Sequence, residues 1–102
     1  GLSLLNFNED TRSNHWLYSL ICGDEYPLNR DEIIMYLSSK GVQARPIWGL
    51  INEQIPYLKN QAYKIEKAKF YVDHVVNIPC STNLTKDEIL YVVENLSNAA
   101  LK

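Results

Sequence analysis

The sequence predicts an α+β fold: a two-layer small domain with elements in the order β-α-β-α-β-α, its short, mainly antiparallel sheet covered by helices. Three observations carry this prediction. Short apolar runs bounded by turn residues alternate with amphipathic runs of helical period. Two of the amphipathic runs open on a capping box, Asn29 with Glu32 and Thr85 with Glu88. The composition, 46% hydrophobic and 22% charged over 102 residues, is that of one globular domain. Strands and helices interleaved in this way pack most simply as helices on one face of a small sheet. The other face then needs a cover, so an apolar surface is expected near residues 1 to 20.

Residues 1–12, "GLSLLNFNEDTR", form a less regular leader with apolar residues at positions 2, 4, 5 and 7 but no clear element. "HWLYSLIC", 15 to 22, is rich in aromatic and branched residues and stops at the turn chemistry of "GDEYPLN", which predicts a strand. From Asn29, "NRDEIIMYLSSKG" places apolar residues at 33, 34 and 37 and ends on Gly41, which predicts a helix with a glycine stop. "VQARP" reads as a short strand ended by Pro46, because proline removes a ladder donor. "NQAYKIEKAKFYVDH" sets Ala62, Ile65, Ala68 and Val72 at helical spacing and predicts a second helix. "VVNIPC", 75 to 80, is a short apolar strand, and "TKDEILYVVENLSNAAL" is the third helix.

Charge and length exclude several classes. Ten Lys and Arg against twelve Asp and Glu give a net charge of −2, with the basic residues scattered, so no basic face is available for a nucleic-acid backbone. No apolar run approaches the ~20 residues of a membrane span, and no signal-peptide pattern opens the chain. Cys22 and Cys80 have no metal-site spacing and read as buried small hydrophobes in a reducing compartment. The four glycines are isolated, so no phosphate-cradling loop is present.

The chemistry-bearing candidates are few. His74 reads as a helix C-terminal residue favoured by the dipole, and His15 as a strand start. Asp31, Glu32, Asp87 and Glu88 lie in first helical turns, as caps and not as an acid/base pair. What remains is "QARPIWGLINEQIPY", 43 to 57, too irregular for a helix and too interrupted for a strand. Arg45 has a planar fork suited to a carboxylate or phosphate, Trp48 can stack or wall a pocket, and Asn52 and Tyr57 carry hydrogen-bonding tips. The residues alone leave two readings open, a built surface or ordinary packing aromatics beside a surface charge, and they favour the second.

Taken in order, "SNHWLYSL", the capped helix, "GVQARPIWGLINEQIPY" and "VVNIPCSTNLTKDEI" resemble the C-terminal small domain of the DegT/StrS-type sugar aminotransferases. The resemblance covers nearly the whole chain. It implies a fold-type-I enzyme that uses pyridoxal 5'-phosphate to aminate a keto-sugar, nucleotide-linked and of the 4-keto-6-deoxy type, for surface polysaccharide. Glutamate is the expected amino donor. It further implies that residues 1–12 lead from a junction with a missing large N-terminal domain, that 13–102 are the small domain, and that the catalytic lysine and most cofactor contacts lie in the missing part.

The family's (T/A)RPxW run falls on Ala44, Arg45, Pro46 and Trp48, and the resemblance makes Arg45 and Trp48 substrate-side residues. Asn52 stands where many members carry histidine, so any role passed to it is limited to hydrogen bonding. Tyr57 matches the closing aromatic, and His15 and Trp16 fall at the domain junction as cleft-lining residues. No catalytic residue and no metal ligand is expected within this chain. A cytoplasmic homodimer is expected for the whole protein. The alternative is a free-standing α+β binding module in which residues 43 to 57 grip a peptide or a small anion.

Overall fold

The computed structural model describes residues 1–101. Its strands are β1 (Leu2–Leu4), β2 (Tyr18–Cys22), β3 (Arg45–Pro46) and β4 (Val75–Ile78). Its helices are α1 (Arg30–Ser39), α2 (Glu66–His74) and α3 (Lys86–Ala99), with two 3-10 turns at Ile51–Glu53 and Ile55–Tyr57. The four strands form one antiparallel sheet in the order β1-β2-β4-β3. The α+β expectation holds.

Helix α1 starts and stops on the chemistry of its ends. The Asn29 side chain accepts from the backbone N–H groups of Asp31 and Glu32, while the Glu32 carboxylate accepts from the Asn29 N–H at 2.8 Å. At the other end Gly41 has φ 74, a conformation costly for any residue with a Cβ. The Gly41 N–H then reaches the Ser38 carbonyl at 3.0 Å, and the Val42 N–H reaches that of Leu37 at 2.9 Å. Together these bonds make a Schellman stop, with Val42 and Leu37 both in the core behind it. Helix α3 opens on the matching box of Thr85 and Glu88. The two hydrogen bonds from Thr85 hold the Glu88 carboxyl below its ordinary range.

The core lies between α1, α3 and one face of the sheet. Alternation along β2 sends Leu20 and Cys22 inward, and Val76 of β4, paired with Leu20, joins them. Ile33 and Leu37 from α1 and Val92 and Leu96 from α3 close the layer. Ile33, Leu37 and Val76 are wholly enclosed, and each contributes roughly 1.5–3 kcal/mol by leaving water. The Tyr26 hydroxyl donates to the Leu96 carbonyl at 2.6 Å, satisfying one of the four carbonyls that the end of α3 leaves without a helical partner.

Four local expectations are corrected. The leader is not without an element, since Leu2–Leu4 pairs with β2 in the register Leu2↔Cys22 and Leu4↔Leu20. Its partner lies far along the chain, and a three-residue run has too little period to announce that pairing. The strand expected from residue 15 begins at Tyr18, because His15 adopts φ 53 in a turn where Ser13 Oγ accepts from the His15 N–H and Asn14 Oδ1 from the Trp16 N–H. The second helix begins at Glu66, not near residue 60: Lys64 sits at φ 47, and nothing caps the helix by a side chain. Cys80 is half-buried and not a core residue, whereas Cys22 is buried; both thiols are free.

The face opposite the core is only partly covered. Val75 is buried there, but α2 has no fully buried residue. Leu4 and Tyr18, which share the face of Leu20 by register and alternation, are exposed on the core side of the sheet, and Phe7 and Trp16 are exposed as well. The apolar surface expected near residues 1 to 20 is thus present. A groove of about 450 Å³ runs through it, lined by Leu4, Leu5, Phe7, Trp16 and Tyr18 among others. The α2 end is tied across to α1, where the Arg30 guanidinium donates to the Val72 carbonyl.

Candidate functional site

Strand β3 lies at the sheet edge, where Pro46 has no ladder partner to disappoint on its outer side. Arg45 pairs with Asn77 and Pro46 with Val76 in the β3–β4 register. Directly opposed residues share a face, and Val76 faces the core, so Arg45 and Asn77 belong to the other, open face. The chain leaves β3 through Ile47 and places Trp48 against Trp16, with ring centres 5.9 Å apart and planes tilted by 39°. Both tryptophans are about two-thirds exposed, at 67% and 68%, so they form a surface pair and not a core pair.

Between them lies a groove of about 380 Å³ lined by Trp16, Arg45, Pro46, Trp48, Asn77 and Cys80, with Gln43 and Ser81 adding polar tips. No carboxylate lines it, and Arg45 is its one charge. Among the described residues, the ion pairs are Arg30 with Asp31 and Lys69 with Asp73, neither of which engages Arg45. An uncompensated, exposed guanidinium flanked by two aromatic rings favours an anionic group.

The structure therefore brings together Arg45, Trp48 and Trp16 of the residues selected from sequence. His15 sits next door, in the larger groove, with its ring 6.2 Å from that of Tyr18, so Trp16 is a wall common to both grooves. Asn52 and Tyr57 stand apart, Asn52 half-buried on the first 3-10 turn and Tyr57 44% exposed on the second, and neither lines the groove of Arg45. His74 ends α2 as the dipole argument expects, with Nδ1 2.8 Å from the Phe70 carbonyl and its ring stacked on Phe70. Sequence reasoning passed over Asn77 and Cys80. Asn77 had a signal, as the one polar residue inside the apolar run "VVNIP".

Neither a lysine nor an acid lines the groove. Among the described residues no cluster of His, Cys, Asp or Glu could hold a metal, and no helix is long and apolar enough to cross a membrane.

Residues 1–97 match the model of the DegT/DnrJ/EryC1/StrS aminotransferase family. A search of curated proteins returns no match. Among solved structures, the chain is similar to the sugar aminotransferase CalS13 from Micromonospora echinospora, with TM-score 0.80 and 20% identity over 96% of this chain and 25% of that one. It is similar to PseC of Helicobacter pylori, an aminotransferase of pseudoaminic acid biosynthesis, with TM-score 0.72 and 18% identity over 83% of this chain and 23% of that one. It is similar also to Spr1654 from Streptococcus pneumoniae, solved in a PMP form, with TM-score 0.79 and 20% identity over 98% of this chain and 26% of that one. These likenesses establish a shared fold, and the chain spans about a quarter of the length of each neighbour. The match over nearly the whole sequence establishes the family: the chain belongs to the DegT/DnrJ/EryC1/StrS aminotransferases.

Proposed function

We propose that this chain is the small C-terminal domain of a pyridoxal 5'-phosphate-dependent aminotransferase that aminates a nucleotide-linked keto-sugar, of the 4-keto-6-deoxy type, at the expense of an amino acid. Residues 1–12 lead in from a large N-terminal domain that holds the cofactor and its lysine, and contribute β1 to the sheet of the small domain, which 13–102 complete. The complete enzyme works as a cytoplasmic homodimer in the synthesis of amino sugars for surface polysaccharide. Family membership supports the reaction, and the names of the solved neighbours support a sugar substrate.

One observation carries the assignment of this domain's part in it. Arg45 is the single charge in a groove walled by Trp16 and Trp48, inside a chain of this family. When bound, the cofactor supplies the electron sink for amino transfer, and the protein supplies binding and orientation. Arg45 holds an anionic group of the substrate, Trp48 and Trp16 wall the cleft, and His15 extends that wall. Asn52 and Tyr57 give hydrogen bonds to more distant parts of the substrate from the 3-10 turns.

The division of labour is tested on the isolated chain. Incubated with pyridoxal 5'-phosphate and treated with borohydride, it should yield only sparse, unselective lysine labelling by mass spectrometry. A stoichiometric adduct on one lysine would contradict the assignment.

A further inference from the structure

Asn77 has a fixed orientation that the groove puts to use. It stands directly opposite Ser19 in the β2–β4 register and directly opposite Arg45 in the β3–β4 register, so the three side chains form one row across the open face of the sheet. Ser19 Oγ donates to Asn77 Oδ1 at 2.6 Å. With its oxygen accepting from Ser19, the amide keeps its nitrogen as the group that can donate to a ligand. Asn77 and Arg45 line the groove together, and Ser19 stays outside it.

The groove side of this row therefore offers donors. Arg45 has no acceptor, the Asn77 amide nitrogen has two N–H groups, and the remaining polar side chains, Gln43 and Ser81, can each donate. We propose that Asn77, oriented by Ser19, is the second donor of an oxyanion subsite centred on Arg45, which takes a carboxylate or a phosphate group between the two tryptophans. This deepens the proposed function and rests on the reading that the groove faces substrate. A carboxylate would come from the amino donor and a phosphate from the nucleotide-linked sugar.

The chain carries its own closed core, so the test uses the 102 residues directly. Nuclear magnetic resonance titrations with inorganic phosphate and, separately, with acetate follow the Asn77 side-chain amide protons, Arg45 Nε–H and the two indole N–H signals. Saturable shifts at Asn77 and Arg45 together are expected, and the anion that binds more tightly names the source. Asn77→Asp, the same shape with a carboxylate beside Arg45, should abolish the response. Ser19→Ala should weaken binding by roughly three- to tenfold, the loss of about one oriented hydrogen bond, and Ser19→Thr should restore it. No saturable shift at Asn77 with either anion would overturn the proposal. So would an Asn77→Asp chain that keeps the parent backbone spectrum and binds as tightly. The titration needs neither cofactor nor keto-sugar, so its failure is distinct from failure of the aminotransferase reading.

Discussion

Trp16 and Trp48 meet across the mouth of a groove, ring centres 5.9 Å apart, although each is about two-thirds exposed. That combination separates a surface built for contact from ordinary packing. A core tryptophan truncated to alanine costs ~3–5 kcal/mol, whereas an exposed one away from special features costs within about 0.5 kcal/mol. Trp48→Ala should therefore move the urea unfolding midpoint little while changing the near-ultraviolet circular dichroism that the ring pair produces. A loss of several kcal/mol would return Trp48 to the core.

The hydroxyl of Tyr26 behaves in the opposite way. It is buried and donates to the Leu96 carbonyl, so Tyr26→Phe removes no packing but strands an acceptor at the end of α3. A loss of about 1–2 kcal/mol in chemical denaturation is expected, the usual cost of an unsatisfied buried polar group.

Alkaline pH should loosen the fold through Cys22. Burial pushes its thiol above the ordinary value of 9.0, opposed by the nearby Arg30 charge. The folded thiol stays protonated where the unfolded one has already ionised, so the unfolded state binds fewer protons in that window. Stability is thus fully kept below pH 9.0 and declines as pH rises above it. Tyr26, also pushed up by burial, adds to the same slope. Cys22→Ala, compared with the parent chain by denaturation from neutral to alkaline pH, should flatten the decline; an unchanged slope would rule Cys22 out as its source.

How much of this was legible in the sequence depends on the range of the interaction that fixes each element. Both capped helices could be read because their signals are local: Asn29 with Glu32, Thr85 with Glu88, and Gly41 three residues beyond Ser38. Strand β1 was illegible because only pairing with distant β2 makes Leu2–Leu4 a strand. The left-handed turns at His15 and Lys64 shortened a strand and a helix with no glycine to announce them. At the site, Arg45 and Trp48 were visible in one run, but their meeting with Trp16 and Asn77 depends on sheet register. The same run suggested Asn52 and Tyr57, which the 3-10 turns carry away from the groove.

The central claim is that this domain supplies substrate contacts through Arg45 and leaves the cofactor to the rest of a longer protein. In that full-length enzyme, Arg45→Ala should lower kcat/KM for amino transfer by roughly 10- to 100-fold, the loss of a charge-assisted hydrogen bond, with bound-cofactor absorbance and cofactor stoichiometry unchanged. Cofactor loss in parallel with activity would contradict it.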